Sequence, residues 1–318
     1  MTVLSSIIQS SVPASKTSLS AFDPKQKPWD VHGSEKDALE ALFGSLSSDK
    51  TPTMGKYSRR MALCAQELLF ALKGEAWKLD KAFFCKVRAC PICQWRRTLK
   101  TTAILSERLP AILNAQGLIP LFLTLTVCSP KIEDLRETLR ALTAGFQRLS
   151  QRQAWPAVGW LKTVEVTKGD IPGHCHPHMH ILLLVTKNYF KNGYLSKNDW
   201  LRLWQEAMRD DTITQVDIRR VKLKKPGTDG LKAAICEIAK YATKPSDLIS
   251  AGLHDSNWLI EYVRQVHKMR FLSSGGVLKG IFVDEEDPAG PEESEPKDPE
   301  GPVFYADWFA KKQRYFVR

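Results

Sequence analysis

The sequence predicts an α+β sheet domain over residues 115–283, preceded by a small cysteine-bearing module. Two observations predict this organisation. Strand-like and helix-like segments alternate through the second half of the chain, which is typical of a sheet flanked by helices. Three of the seven cysteines fall within residues 85–93. With 318 residues, of which 43% are hydrophobic, the chain is long enough to form a sizeable core.

The first 114 residues divide into an arm and a basic module. Residues 1–55 are rich in Ser, Pro and Lys and hold one modest helical candidate at 35–46, so we expect a mostly disordered arm. Residues 56–114 form the predicted cysteine module. Helical spacing of apolar residues predicts a helix over 57–72, and a second one over 94–113 comes after the cysteines.

The elements of the predicted sheet domain are justified by periodicity and by turn residues between them. The predicted strands are 121–127, 160–167, 178–185 and a basic strand at 215–223. The predicted helices are 135–149, 200–208 and 231–242. Residues 284–302 are acidic and proline-rich and should not pack, which leaves 303–318 as a short C-terminal segment.

The charge distribution indicates a polyanionic partner. The net charge is +11, but residues 284–300 carry nine acidic residues against one lysine, so the rest of the chain holds +19. Such a basic body most often binds nucleic acid, although a merely soluble basic protein is an alternative. The first sixteen residues lack a secretory pattern, and no apolar stretch approaches the ~18 residues of a membrane span. We therefore expect a cytoplasmic protein with no membrane partner.

The cysteine spacing predicts a zinc site. An odd number of cysteines without an export signal argues against a disulfide framework. Cys85, Cys90 and Cys93 have the short spacing with which thiolates reach one tetrahedral ion, and Cys64 is the nearest candidate for a fourth ligand. A Cys-x-x-Cys redox pair is the alternative, but the third cysteine and the nearby arginines favour a zinc module that faces nucleic acid.

Four histidines lie within seven residues, at 174, 176, 178 and 180. In an extended strand His178 and His180 share one face, which is half of a metal site. Glu165, in the preceding strand, is a carboxylate among apolar residues and the predicted third ligand, with His176 as the alternative.

Glu237 and Tyr241 are four residues apart on a predicted helix, with Lys240 beside the tyrosine and Lys244 three residues after it. Taken alone, such a pair is ordinarily solvated. Its meaning depends on the histidine strand.

Together these segments resemble the ordered motifs of rolling-circle plasmid replication initiators, members of the His-hydrophobe-His (HUH) endonuclease superfamily. The resemblance rests on the strand at 122–126, the His178-Met-His180 pair, and Glu237 with Tyr241 in Lys-Tyr-Ala-Thr-Lys. The Cys85–Arg97 run resembles the upstream signature of the branch that places a glutamate four residues before its tyrosine, and Ser274–Lys279 resembles a later segment. The resemblance covers about residues 57–280.

The resemblance implies an antiparallel sheet flanked by helices, with metal ligands on central strands. It implies Mg²⁺ or Mn²⁺ held by His178 and His180, and attack of Tyr241 on DNA to give a 5′-phosphotyrosine and a free 3′-hydroxyl. It does not fix the third metal ligand, for which the residue pattern favours Glu165. Lys244 or Lys240 would stabilise the transition state, and Glu237 would activate water to end the round.

The implied partners are plasmid origin DNA, single-stranded or as a hairpin at the nick site, together with a host helicase and DNA polymerase. The candidate DNA contacts are basic residues of the cysteine module and of the basic strand. They are Arg88, Arg96, Arg97, Arg219, Arg220, Lys222 and Lys224.

Three alternatives remain open from the sequence. A single-tyrosine transposase or relaxase shares the chemistry, but the cysteine signature and the Glu-x-x-x-Tyr spacing favour an initiator. A non-catalytic zinc-dependent DNA-binding regulator gives the histidines no role. A metallohydrolase that acts on small molecules would explain the histidines but would give the large positive charge no role.

Overall fold

The computed structural model describes residues 17–222, 229–240, 243–282 and 301–318. They fall into two compact units: the described residues up to 96 with 301–318, and residues 97–282. Within the described ranges, no helix is both long and apolar enough to cross a membrane.

The helices are α1 (Leu19–Phe22), α2 (Lys27–Ser45), α3 (Pro52–Ala62), α4 (Pro91–Gln116), α5 (Leu135–Ser150), α6 (Tyr189–Asn192), α7 (Lys197–Met208), α8 (Asp229–Ala239), α9 (Pro245–His254) and α10 (Ser256–Gln265). The strands are β1 (Glu67–Lys73), β2 (Ala76–Ala82), β3 (Ile119–Thr126), β4 (Ala157–Lys168), β5 (Cys175–Val185), β6 (Val216–Arg220), β7 (Leu272–Gly276), β8 (Val303–Phe309) and β9 (Arg314–Val317).

The first unit is built on a four-stranded antiparallel sheet in the order β2-β1-β8-β9. The C-terminal segment 303–318 therefore supplies half of this sheet. Phe70 of β1 stacks on Phe304 of β8 with ring centroids 5.0 Å apart, and Trp29 of α2 meets Phe70 edge-on at 6.4 Å. These aromatic contacts form the core of the unit.

The expectation of a disordered arm is wrong for residues 17–55. Helix α2 buries Trp29, Leu39 and Phe43, and its Asp30 carboxylate accepts a hydrogen bond from the backbone N–H of Tyr315 in β9. Residues 1–16 lie outside the described range, as do residues 284–300 of the predicted acidic segment.

The predicted helix 57–72 is also wrong in its second half. Helix α3 ends at Ala62, and Ala65 adopts a left-handed conformation with φ of 51° before β1 begins at Glu67. The next apolar run is a strand because β1 pairs with β8, more than 230 residues away in sequence.

The second unit holds a five-stranded sheet in the order β6-β3-β5-β4-β7, antiparallel at every pairing. The predicted strands at 121–127, 160–167, 178–185 and 215–223 correspond to β3, β4, β5 and β6. The α+β prediction with a helix-flanked antiparallel sheet is confirmed.

The two faces of this sheet carry different residues. Helices α5 and α7 lie together, and Phe146 of α5 packs edge-on against Trp160 of β4 at 4.9 Å, on the face opposite to the histidines. Helix α8 and the second half of α4 cover part of the histidine face, around Phe122, Leu161 and Leu182. The uncovered remainder of that face is where the polar side chains converge.

Candidate metal centres and nucleic-acid interface

Three ligand-type side chains converge on one face of the central strands β4 and β5. Glu165 is the direct register partner of His178, and His180 lies two residues further along β5. Glu165 Oε2 is 3.2 Å from His178 Nε2 and 3.3 Å from His180 Nε2. One ligand atom from each of the three residues lies within 4.8 Å of the other two, which is compact enough for a single ion.

Both imidazoles are oriented by contacts to their second ring nitrogen. His178 Nδ1 donates to the backbone carbonyl of His176 at 3.3 Å, which requires the proton to be on Nδ1. His180 Nδ1 lies 3.2 Å from the hydroxyl oxygen of Thr124 on β3, whose register partner is His180. In both rings this arrangement leaves Nε2 as the atom that faces Glu165.

The arrangement fits a divalent cation on chemical grounds. A neutral His178 that donates through Nδ1 presents a lone pair on Nε2 to the Glu165 carboxylate oxygen. Two lone pairs at 3.2 Å repel unless a proton or a cation lies between them. Burial alone would raise the pKa of Glu165, but a proton that lies between its carboxylate and the Nε2 atoms of His178 and His180 makes hydrogen bonds that lower this pKa well below its usual range, so the carboxylate stays charged.

Glu237 reaches this cluster from helix α8. Its Oε1 is 3.8 Å from His180 Nε2, and its Oε2 forms a 2.5 Å ion pair with Lys240. Leu231, Ala234 and Ile238 are buried as the stripe predicted for this helix. Glu237 is therefore half-buried beside the histidines and is not a solvated helix-face residue.

The predicted nucleophile Tyr241 lies outside the described residues, but the chain on both sides of it is anchored. Thr98 Oγ1 donates to the carbonyl of Ala239 at 2.8 Å. Thr243 is fully buried, and its hydroxyl contacts the Val166 carbonyl and the Tyr262 hydroxyl, both at 2.8 Å. Lys244 is exposed and occupies the N-cap position of α9, where its side chain makes no capping hydrogen bond.

His176, the alternative third ligand, points elsewhere. Its Nδ1 is 3.1 Å from the hydroxyl of Ser129, and its ring centroid is 5.5 Å from that of His178. His176 is not part of the compact ligand set, which contains Glu165 instead. His174 contacts the backbone carbonyl of Pro172 in the preceding turn.

The four predicted zinc ligands come together in the first unit. All four sulfurs lie within 4.8 Å of one another, and three of the Sγ–Sγ distances are 3.7 Å. Tetrahedral zinc with Zn–S bonds of about 2.3 Å places its sulfurs about 3.8 Å apart, so the spacing fits zinc without rearrangement. The four predicted ligands are Cys64, Cys85, Cys90 and Cys93.

The electrostatics of this buried group favour ionisation of one thiol, that of Cys93. Hydrogen bonds from the other three thiols lower the pKa of Cys93 well below its usual range. Burial raises the pKa of Cys90, and contact with Cys85 raises that of Cys64. Such opposed shifts mean that one negative charge is shared within the cluster, which a cation would stabilise further.

The basic residues predicted to contact DNA divide into two groups. Arg219, Arg220 and Lys222 are exposed on or just after the edge strand β6, whereas Lys224 lies outside the described residues. The arginines of the cysteine module are half-buried, and Arg96 lies over the rings of Trp29 and Phe84 at 5.8 and 5.9 Å. These three arginines are Arg88, Arg96 and Arg97.

Sequence analysis missed the threonines that position the site. Thr124, Thr98 and Thr243 were assigned no role. For Thr124 a signal existed, because it interrupts the apolar run of β3 on the histidine face. Thr98 and Thr243 make contacts that only the fold brings together.

Comparison with known proteins places this geometry in context. Residues 76–316 match a family model described as replication protein. The chain is 36% identical over 232 residues to a protein named "Protein rep" of Lactiplantibacillus plantarum, covering 70% of this chain and 72% of the relative. It is 33% identical over 274 residues to a "Protein rep" of Streptococcus pneumoniae, covering 81% and 83%.

A "Protein rep" of Bacillus amyloliquefaciens is 35% identical over 264 residues, covering 77% of this chain and 76% of the relative. No solved structure was found to match the chain.

Proposed function

From the premise that this chain belongs to the replication protein family and is a plasmid replication initiator, we propose that it starts rolling-circle replication by nicking origin DNA through Tyr241. The observation that carries the proposal is the convergence of Glu165, His178 and His180, with the Glu237 carboxylate beside them. Phosphoryl transfer at a tyrosine requires a site of this kind, where the negative charge of a phosphate is neutralised.

The metal-binding residues would be His178, His180 and Glu165. When bound there, Mg²⁺ or Mn²⁺ supplies Lewis-acid polarisation of a non-bridging phosphate oxygen. The protein's own contribution is orientation, because the two Nδ1 contacts hold both Nε2 atoms toward Glu165 before DNA arrives.

In the nicking step the Tyr241 oxygen attacks phosphorus, and the bond from phosphorus to the 3′ oxygen breaks. The phenolic proton is lost, and the leaving 3′ oxygen takes up a proton to become a 3′-hydroxyl. The DNA 5′ end stays linked to the protein as a phosphotyrosine. A polymerase can extend the 3′-hydroxyl, which explains why such a nick starts replication. Lys240 and Lys244 lie on either side of Tyr241 in sequence and supply positive charge for the transition state.

Termination is assigned to Glu237. Its carboxylate would take a proton from a water molecule whose oxygen attacks phosphorus at the second cleavage. Hydrolysis releases a 3′-hydroxyl without a second covalent link to the protein. The ion pair with Lys240 holds the Glu237 carboxylate near His180, on the side of the helix that such a water needs.

The remaining parts of the proposal concern zinc and partners. The four-cysteine cluster would hold structural zinc and keep the first unit folded. Origin DNA, single-stranded or as a hairpin at the nick site, is the proposed substrate. A host helicase would open the duplex ahead of the host polymerase.

The proposal is tested with a 3′-labelled single-stranded oligonucleotide that spans the plasmid nick site, because the fragment that stays linked to the protein carries the original 3′ end. Wild-type protein with Mn²⁺ should form a covalent adduct whose modified peptide contains Tyr241. Tyr241→Phe should form none and should still bind the oligonucleotide, because only the hydroxyl is removed. Tyr305→Phe, at a half-exposed tyrosine on β8 of the first unit, is the matched control. An adduct that persists in Tyr241→Phe would overturn the assignment.

A further inference from the structure

A cluster of exposed aromatic and basic side chains lies on the opposite face of the sheet from the histidines. Phe190 is 38% exposed and Tyr194 is 65% exposed. Residues 186–198 contain three lysines and no acidic residue. The Phe190–Tyr194 surface, as we define it, comprises Lys187, Phe190, Lys191, Tyr194 and Arg220.

A buried tyrosine holds this surface in place. The Tyr189 ring lies 5.0 Å from that of Phe190 and 5.8 Å from that of Tyr194. Its hydroxyl donates to the Leu195 carbonyl at 3.3 Å and accepts from the Leu195 N–H at 3.4 Å. The indole N–H of Trp200 donates to the same hydroxyl at 3.5 Å. The two exposed rings are therefore pre-positioned, which reduces the entropy lost when a ligand stacks on them.

Arg220 connects these rings to the edge strand. Its guanidinium lies 5.3 Å above the Phe190 ring. Arg220 is the register partner of Leu121, whereas its neighbour Arg219 is the partner of Phe122 on the histidine face. Successive strand residues point to opposite faces, so Arg220 projects away from the metal site. A cleft of about 580 Å³ lined by both arginines continues past the end of the strand to Lys222.

We propose that the Phe190–Tyr194 surface binds single-stranded DNA, with bases stacked on the two rings and phosphates next to the lysines and Arg220. Alternating π-surfaces and cations are what single strands require, because their bases are free to stack and their phosphates are charged. This inference rests on the proposed function, since the bound strand would be origin DNA that extends beyond the cleavage site.

Two features favour this partner over the alternatives. In duplex DNA the bases are already stacked on one another, so they are not available to stack on the two exposed rings. Lys191, Asn192 and Gly193 separate the two exposed rings in sequence, so this segment lacks the run of apolar residues that protein partners typically bury. Single-stranded DNA uses both the rings and the charges.

The test measures binding of a labelled 20-nucleotide single strand to the full-length protein by fluorescence anisotropy in buffer without chelator and without added Mg²⁺ or Mn²⁺, so that cleavage does not contribute and the zinc site is left intact. Tyr194→Leu should weaken binding about 5- to 150-fold, the range of losing one base stack, whereas Tyr194→Phe should bind like wild type. Leu253→Ala is the matched control, because Leu253 is also 65% exposed and lies in the same unit. Thermal melts of each variant check folding.

The contribution of the lysine charges is measured in a separate experiment, which follows how binding depends on salt concentration. Lys187→Gln with Lys191→Gln should reduce the slope of log K against log salt by about 1.4, since each single-strand phosphate contact contributes about 0.7. Lys50→Gln, at an exposed lysine of the first unit, should leave the slope unchanged.

Three outcomes would overturn the inference. Unchanged single-strand affinity in Tyr194→Leu would show that bases do not stack on the Tyr194 ring. Equal losses for single strand and matched duplex would indicate a duplex surface. A loss in the lysine variants alone would indicate a purely electrostatic surface, such as one for an acidic protein or membrane. Failure of the proposed nicking function would look different, because wild type would then form no adduct in Mn²⁺ while single-strand binding stayed dependent on Tyr194.

Discussion

Replacing Thr124 with valine should weaken divalent-metal binding without changing the metal ligands themselves. Valine has nearly the same shape as threonine but removes the hydroxyl that lies 3.2 Å from His180 Nδ1. His180 is only 8% exposed, so water does not readily replace that contact. The ring then loses the hydrogen bond that keeps its Nε2 directed at Glu165.

The expected loss of metal affinity follows from the cost of leaving the Nδ1 atom of His180 without a hydrogen-bond partner. Leaving one buried donor unpaired costs about 1–3 kcal/mol, which corresponds to about 5- to 150-fold in affinity. Loss of an outer-shell partner of a metal-bound histidine typically costs about 10–100-fold. We expect the dissociation constant for Mn²⁺ to rise by about 10–100-fold in Thr124→Val.

Calorimetric titration of Mn²⁺ measures this directly, and nicking measured against Mn²⁺ concentration provides a second readout. Saturating Mn²⁺ should restore nicking in Thr124→Val, since only affinity is impaired, and Thr124→Ser should retain affinity. Thr126→Val is the matched control, because Thr126 shares the strand and face but its hydroxyl contacts the carbonyl of Gln215. Equal losses in both valine variants, or a nicking defect that saturating Mn²⁺ does not repair, would refute the reasoning.

The other predictions concern termination, zinc and the buried lysine. Glu237→Ala should still form the adduct but hydrolyse a second origin strand at least ~100-fold more slowly, measured from both products of one oligonucleotide; equal loss of both products would instead indicate a metal ligand. The Cys90→Ser, Cys93→Ser double variant should lose bound zinc, measured by elemental analysis, and local folding; a wild-type protein without zinc would contradict this. Burial lowers the pKa of Lys162 from 10.5 to about 8, beside the Phe146 ring at 5.1 Å. The unfolded chain therefore binds more protons between these pH values, and stability should rise by about 3 kcal/mol from pH 8 to 10.5. Chemical denaturation should show that Lys162→Met is more stable than wild type at pH 7 and lacks this rise; parallel pH profiles would contradict the prediction.

The residues of the histidine face could be predicted because their pattern is local. Alternation in β5 separates His178 and His180 from Met179, and a carboxylate in the neighbouring strand is conspicuous among apolar residues. The cysteine cluster was predictable for the same reason, since three of its four cysteines lie within nine residues. The geometry of Cys64 agrees with its assignment as the fourth ligand.

The N-terminal helices could be predicted only in part, as a candidate at 35–46 and a helix from residue 57, because their packing partners are distant in sequence. Residues 27–45 include Gly33 and only a few large apolar side chains, so the local pattern is weak. Burial of Trp29 and Asp30 depends on strand β9, which begins 284 residues after Asp30. Likewise, the sequence of β1 alone continues the helical pattern of the preceding residues, and β1 is a strand because it pairs with β8. Long-range strand pairing overrides local propensity in both cases.

The positioning threonines bear on how one site could serve two cleavages under the proposed mechanism. Initiation and termination differ in the nucleophile, tyrosine or water, but share the phosphate and the neutralising cluster. Helix α8 ends at Ala239, whose carbonyl accepts a hydrogen bond from Thr98. Thr243 donates a hydrogen bond to the carbonyl of Val166, the residue after Glu165. Glu237 is already paired with Lys240 and lies 3.8 Å from His180. The carboxylate therefore needs no movement of the helix to act at the second cleavage. The two steps differ in whether Tyr241 is free or already esterified, so the state of the tyrosine itself would select the nucleophile.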